Sequence, residues 1–589
     1  MTRARYLAII AKSDDHDREH VVRVSETAQE AFETPSICVA ERLTLVTNGE
    51  IITSDATGFT LAIVGSLFDE PGCPALKTMS VGAQYAICST EGAWLCDKYW
   101  GQYVGFLADP LKGSVHVFRD PSAGLPCYYV DRDDLIFVAS DIDILFRCGL
   151  LERRINWNYI TRHLLANQLR PESTGLVGLT ELLAGLRLSS RATGVTIDQL
   201  WSPWVSAARE MQILDPAEAV ERLRETVTAC VRSLADEFQH ILVNVSGGLD
   251  SSIVAACLAA AGKSFTLLTL STDEPAGDER GYARLIADAV DAQLVELSER
   301  TDLVDLTRCA GEHIPRPIAR AFAQSADRSN VEVAKRLGAD AFFGGAGGDN
   351  VFCFLQSAAP IADRLLMEGI LPAWSTARDI ANLAEADVQT AFFRGMRRAW
   401  WRKPGFRWRL DTSFLSERAL EFTALARNHL WLDAPPRALP GKAGHIASLM
   451  NIHNHLEGFT RESARSVIAP LLAQPIIELC LQIPSWQWCK GGRDRVVARQ
   501  AFASMLPNAI VDRRLKGTPD GMIVRLFDEN RQLILDMLTD GELARHGLLD
   551  INAIATAIGS PGPPIGLDFF RIMALLDVEM WVRSMRELV

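Results

Sequence analysis

A chain of 589 residues exceeds what one hydrophobic core accommodates, so at least two domains are predicted. With 48% apolar and 23% charged residues, the composition is that of a folded globular protein and excludes intrinsic disorder. A formal charge of −13 excludes a protein whose main work is covering nucleic-acid phosphates, and twelve cysteines without a Cys-x-x-Cys pair suggest neither a disulfide framework nor a zinc site.

Met1 to Ala11 holds an apolar run too short for a secretory signal, and no window is long enough to span a bilayer. A cytoplasmic location is expected, with no membrane and no nucleic acid among the partners. From about Thr60 to Phe146, the runs TLAIVGSLF, YVGFLADP, SVHVFRDP, PCYYVDRDD and LIFVASD are strand-length, rich in Val, Ile, Phe and Tyr, and cut by turn residues. This half is predicted to be sheet-rich, with hairpin connections.

After Trp201-Ser202-Pro203-Trp204 the pattern changes. ILVNV (241–245) reads as a buried strand and Asp250 to Ala261 as a helix stopped by Gly262. SFTLLTLS (264–271), QLVEL (293–297) and DAFFGG (340–345) are further strands, separated by helices at Glu279 to Val290 and at Val331 to Leu337, the latter stopped by Gly338. Alternating strands and helices predict a parallel sheet with its ligand at the carboxyl ends of the strands. From about Ala358 onward helical spacing dominates. The predicted class is α/β plus α+β, with domains over 1–205 and 206–589.

The loop Ser246-Gly247-Gly248-Leu249-Asp250-Ser251-Ser252 follows a buried strand and opens a helix. Its glycines allow a tight turn and close approach of a ligand, and free N–H groups at the helix start favour an anion. The serines add donors, and Asp250 adds a carboxylate suited to Mg²⁺. A glycine turn that merely caps a helix is the plain alternative. No Gly-Lys-Ser/Thr follows, so this is not a Walker A loop.

Here the sequence resembles the asparagine synthetase superfamily of ATP pyrophosphatases, over nearly the whole chain. GDERGYARLIA (277–287), FFGGAGGDNVF (342–352), PLLAQPIIELCLQIP (470–484) and LPNAIVDRRLKG (506–517) match its adenylating half. RDPSAGLPCYY (119–129) and FVASDIDILF (137–146) match its N-terminal glutaminase-like (Ntn-type) domain. The resemblance implies ATP and Mg²⁺ as cofactors and an ATP-pyrophosphatase, Rossmann-like second domain with helical additions. Ser246, Gly247, Gly248, Leu249, Asp250, Ser251 and Ser252 would hold the ATP phosphates. Leu242, Leu270, Gly344 and Gly345 would line the adenine and ribose side. Asp250 and Asp349 would hold the metal, and Lys516 would steady the transition state.

Glutamine-dependent members carry a catalytic cysteine directly after the initiator Met, because thiol and α-amine must lie within hydrogen-bond reach. Position 2 here is Thr2, and the first cysteine is Cys38. The ammonia-generating half is therefore expected to be inactive. Members without that cysteine are β-lactam and carbapenam synthetases and the macrolactam synthetases of lasso peptides. In the former, a tyrosine in the second glycine loop helps deprotonate the attacking amine, and Ala346 stands at that position. A peptide N-terminal amine, with a pKa of about 8, is already partly neutral and needs less help.

The stretch APLLAQPIIELCLQIPSWQW followed by GGRDRVVARQAFASMLP is also closer to the lasso enzymes. The expected reaction is adenylation of an Asp or Glu side chain of a precursor core peptide, then ring closure by its N-terminal amine. A leader-peptide-binding protein and a leader peptidase are the implied partners. Two alternatives stay open: a β-lactam-synthetase-like or other glutamine-independent ligase on a small substrate, and a non-catalytic ATP-binding subunit.

In HNHLEGFTRE (453–462) the histidines stand at i and i+2, which does not suit a helical metal site, and Glu457 is a candidate substrate-side carboxylate. FFRGMRRAWWRKPGFRWRL (392–410) interleaves Arg with aromatic residues. It reads as a packed aromatic helix with a solvated basic face, or as a contact for a partner protein or precursor peptide.

Overall fold

A computed structural model describes residues 3–54, 58–271, 278–424, 429–514, 520–560 and 568–587. Among the described residues, twelve strands build two antiparallel six-stranded sheets in the N-terminal third. They are β1 (Tyr6–Ala11), β2 (Ser36–Ala40), β3 (Leu43–Thr47), β4 (Ile51–Ser54), β5 (Thr60–Phe68) and β6 (Trp100–Asp109), then β7 (Ser114–Arg119), β8 (Tyr128–Arg132), β9 (Leu135–Ala139), β10 (Thr180–Glu181), β11 (Leu186–Arg191) and β12 (Gly194–Gln199). One sheet runs β10-β8-β9-β1-β3-β2, the other β12-β11-β7-β6-β5-β4.

The period of two in β1 explains how the layers assemble. Tyr6, Ala8 and Ile10 point into the core between the sheets with Val64, Phe106 and Val117. Leu7, Ile9 and Ala11 point the other way, onto Val24 and Ala28 of the helix Arg18–Ala31. On the far side, Leu61, Ile63 and Tyr103 pack against Ile87 and Leu95 of two short helices. The result is four layers, helix, sheet, sheet, helix, with every residue of β1 buried. The sheet-rich region thus starts at Tyr6, well before the Thr60 expected from turn spacing.

The third sheet is parallel, in the order β15-β14-β13-β16-β17, formed by β13 (Ile241–Asn244), β14 (Phe265–Ser271), β15 (Leu294–Ser298), β16 (Ala341–Gly344) and β17 (Ser466–Ile468). Its crossovers include the helices Leu249–Ala260, Arg280–Ala289 and Gln324–Leu337, the last ended by Gly338 at φ 69°. The centre strands β13 and β16 end side by side, with Asn244 registered on Gly344, so the loops that follow them meet.

Further helices surround this sheet. The helix Pro216–Ala235 packs against Leu249–Ala260, and the C-terminal helix Asp568–Glu587 is anchored by Trp581, whose indole N–H donates to Ile314 O at 3.0 Å. No helix among the described residues is long and apolar enough to cross a membrane.

Candidate active site

The turn from β13 into its helix depends on two glycines. Gly247 has φ 60°, and a Cβ there would fall 2.2 Å from Tyr282 Cβ. Gly248 occupies the N-cap and offers no side chain to the first amides of the helix Leu249–Ala260. Those N–H groups, which lack intrahelical partners, stand where the loop was expected to hold an anion. Ser246 Oγ accepts from Gly248 N at 3.4 Å, and Ser251 Oγ accepts from Ser246 N at 3.4 Å, which closes the loop on itself. Ser252 Oγ is buried with no hydrogen-bond partner among the described residues.

The loop after β16 packs directly on this one. A Cβ on Gly345 would lie 2.4 Å from Ser251 N, and one on Gly348 would lie 2.2 Å from Asp250 Cγ. Close approach brings Asp250 and Asp349 to one cation, the guanidinium of Arg495. Its Nη1 stands 2.9 Å from Asp250 Oδ2 and 3.1 Å from Oδ1, and also pairs with Asp349 Oδ1. Burial opposes the charge on Arg495, but Asp250, Asp349 and Asp494 outweigh it and raise its pKa.

A divalent metal fits where that guanidinium sits, since one positive group reaches both carboxylates. Among the described residues no third His, Cys, Asp or Glu joins them. Two carboxylates with the remaining positions left to phosphate and water is the manner in which Mg²⁺ is commonly held.

A cavity of about 720 Å³ opens from the loop. Ser246, Gly248, Leu249, Asp250 and Ser251 line it, as do Leu270, Gly344, Gly345, Ala346 and Glu457. Of the other expected residues, Leu242 is fully buried in the sheet core beside Leu268 and Phe342, and Gly247, Ser252 and Asp349 are not part of the lining. Lys516 and Thr2 lie outside the described residues. Beyond the loops the cavity continues to Gly65 and Gln102 of the antiparallel sheets, to Gly124 in the loop between β7 and β8, and to Arg3.

Glu457 sits at that junction in a surplus of positive charge. It accepts from Arg170 Nη2 at 3.1 Å, Arg316 Nη2 at 3.0 Å and Tyr128 Oη at 3.4 Å. The neighbouring Glu181 takes Arg119 Nη1 at 2.8 Å and Arg170 Nε at 2.9 Å. Burial would raise the Glu457 carboxyl, but Arg170, Arg316, Arg3 and Arg119 hold it well below the usual range. A carboxylate so held is a weak base, and its lone pairs are already engaged.

Arg495 and Arg513 are the residues that sequence reasoning left without a role. Arg513 Nη1 donates to Ser246 O at 3.1 Å, and its guanidinium lies 4.0 Å over the Tyr282 ring while pairing with Glu279. Both arginines fall in or beside motifs quoted for the resemblance, but nothing in an arginine's local context separates a site cation from a surface one.

A family model described as asparagine synthase matches residues 222–583, and the chain belongs to that family. Membership carries ATP-dependent formation of a carbon–nitrogen bond. No curated protein matches the chain. Two solved structures share 10% identity with it. One, the allosteric regulatory enzyme of purine biosynthesis, covers 57% of this chain and 88% of its own at a TM-score of 0.23. The other, glutamine phosphoribosylpyrophosphate amidotransferase from B. subtilis complexed with ADP and GMP, covers 58% and 90% at 0.22.

Proposed function

We propose that the chain is a peptide macrolactam synthetase of the lasso type. It adenylates an Asp or Glu side chain of a short precursor peptide and joins that acyl group to the peptide's own N-terminal amine. The observation that carries this reading is the cavity. It runs without a break from the loop at Ser246 and Asp250 to Gly65 and Gln102 in the N-terminal sheets, and none of the chain's twelve cysteines lines it. A glutaminase that works through a thiol needs a cysteine there. In this reading, residues 1–205 form a glutaminase-like domain without that nucleophile, which serves as wall for the substrate, and residues 206–589 form the adenylating domain.

The chemistry follows from the residues in place. The amides at the start of the helix Leu249–Ala260 hold the polyphosphate, with Ser246 and Ser251 beside them. Asp250 and Asp349 would hold a magnesium ion, which when bound would neutralise charge on the departing pyrophosphate. A substrate carboxylate oxygen attacks the α-phosphorus, and the bond from that phosphorus to the bridging oxygen of pyrophosphate breaks. The amine nitrogen then attacks the acyl carbon, loses a proton, and AMP leaves. Lys516 is assigned to the oxyanion of that step. Ala346, at the cavity edge, offers no base, which suits an amine that is partly neutral near pH 7.

Ring closure is chiefly a matter of holding two ends of one peptide together, and an extended cavity serves that end. A leader-binding protein and a leader peptidase would deliver the peptide. The experiment is incubation of the purified enzyme with ATP, Mg²⁺ and the processed peptide. AMP, pyrophosphate and a peptide lighter by one water are expected. Release of ADP, or AMP formation that depends on added glutamine, overturns the reading.

A further inference from the structure

The helices Ala359–Glu368, Ile370–Leu383 and Val388–Trp400 form a small bundle with its own core of Ile361, Ala377, Ile380 and Phe392. The segment that leaves this bundle is fixed at both ends. Phe392 is buried in the bundle, and Trp408 is buried in the main core. Between them Arg398 holds the chain in place by donating to Pro404 O at 2.9 Å and Gly405 O at 2.8 Å.

The aromatic side chains on this fixed segment nevertheless face solvent. Phe393 is 62% exposed, Trp400 53% and Trp401 70%, and Phe406 is also exposed. Phe393, Arg397 and Trp400 stand at i, i+4 and i+7, along one stripe of the helix. Scattered apolar residues on a surface are ordinary, but large aromatics grouped on a short rigid segment mark a contact site.

From Val388 to Leu410 the chain carries seven Arg and Lys side chains and no Asp or Glu, although the whole chain is at −13. We infer that this surface docks an acidic peptide segment whose carboxylates alternate with apolar side chains. Its arginines pair with the carboxylates, and its tryptophans cover the apolar groups. A long single-stranded nucleic acid extends past the patch onto a protein surface whose net charge of −13 repels it, whereas a short acidic segment contacts the patch alone. An anionic membrane wants cations and aromatics on separate faces, whereas here they alternate on one.

The bundle also bears on the active site. Gly491 N donates to Asp379 Oδ1 of the helix Ile370–Leu383 at 3.0 Å, and a Cβ on Gly492 would lie 2.9 Å from Asn382 Cβ. That turn leads into Asp494 and Arg495 at the carboxylate pair. An acidic segment docked on the helix Val388–Trp400 is held on the same bundle as the helix Ile370–Leu383, which contacts this turn.

The test is fluorescence anisotropy on the full chain with three probes: a short labelled peptide alternating Glu and Leu, a single-stranded oligothymidylate, and phosphatidylglycerol vesicles. Saturable binding of the acidic peptide is expected, weakening with added salt. It should fall about tenfold in Trp400→Ser/Trp401→Ser, and at least as far in Arg397→Glu/Arg402→Glu. Phe393→Ser is the single-site check, and thermal unfolding of each variant should match wild type because these side chains are exposed. No binding of the peptide, equal binding by the variants, or tighter binding of the oligonucleotide or vesicles overturns the inference. None of these measurements needs ATP, so the result stands apart from the proposed reaction.

Discussion

Gly348 lies hard against Asp250: a Cβ at Gly348 would fall 2.2 Å from the carboxyl carbon of the aspartate. The contact ties the loop after β16 to the loop after β13, and so ties Asp349 to Asp250. Gly348 is not in the left-handed region, so alanine there is refused for space alone. Gly348→Ala is expected to leave the sheet folded while displacing the Asp250 carboxylate. A displacement of about 1 Å costs roughly 100-fold in a positioned reaction, so adenylation should fall by that order with circular dichroism unchanged. An unchanged rate would mean that Asp250 need not be held where it is.

Arg495 gives a second expectation. Its guanidinium binds both carboxylates that a divalent cation would use, so the two compete. Arg495→Gln removes the competitor and leaves two facing carboxylates. Mn²⁺ binding to the nucleotide-free protein, followed by electron paramagnetic resonance, should tighten by about tenfold or more. Adding Asp349→Asn should abolish the gain. Equal Mn²⁺ affinity in wild type and Arg495→Gln would show that the guanidinium is no obstacle.

Glu457 supplies the third. Replacing it by glutamine leaves Arg170, Arg316 and Arg119 facing the single carboxylate of Glu181 in a buried site. Removing one partner of a buried ion cluster costs about 3 to 5 kcal/mol, because the remaining charges lose their compensation. Glu457→Gln should therefore unfold at distinctly lower urea concentration, and Glu457→Asp should recover part of the loss. A variant as stable as wild type but unable to form the amide would instead give Glu457 a direct part in the chemistry.

The parallel sheet was the most legible part of the fold. ILVNV, SFTLLTLS, QLVEL and DAFFGG lie within a residue of β13, β14, β15 and β16, because strands packed among helices read as continuous apolar runs with turns at their ends. β17 is only three residues long and lies inside a helical stretch, so no local pattern marks it. β1 was visible as an apolar run, but because both of its faces are buried it lacks the alternation that identifies a half-buried strand. The helix Gln324–Leu337 was read from Val331 only, because its first turns are polar. Their burial is explained by tertiary partners, such as Thr460 N donating to Asp327 Oδ2 at 2.7 Å.

The site divides in the same way. The loop Ser246 to Ser252 is local chemistry written in consecutive residues, and it was read directly. Arg495 reaches Asp250 across 245 positions of sequence, and no pattern within either segment announces the pairing. The segment from 392 to 410 was read as a packed aromatic helix with a solvated basic face, or as a contact for a partner protein or precursor peptide. Phe392 and Trp408 do pack, but Phe393, Trp400 and Trp401 share the outer face with the arginines.

Asp577 gives a pH dependence with a definite sign. It lies on the C-terminal helix and accepts backbone N–H groups from Ala321 at 3.0 Å and Arg320 at 3.2 Å. Burial pushes its carboxyl from 3.8 up to about 7, against the pull of those amides and of the Arg320 guanidinium. Between those two values the folded protein holds a proton that the unfolded chain has lost, so the contribution of this group to stability falls as pH rises through the window. Asparagine keeps an acceptor oxygen and has no proton to lose. The Tm of Asp577→Asn minus that of wild type should therefore grow as pH is raised from about 5 to about 8. Buried histidines such as His163 and His453, pushed down to about 3 by burial, destabilise the fold on the acid side, but they are common to both proteins and cancel in the difference. A Tm difference that stays flat across this range would place the Asp577 carboxyl near its ordinary value in the folded state.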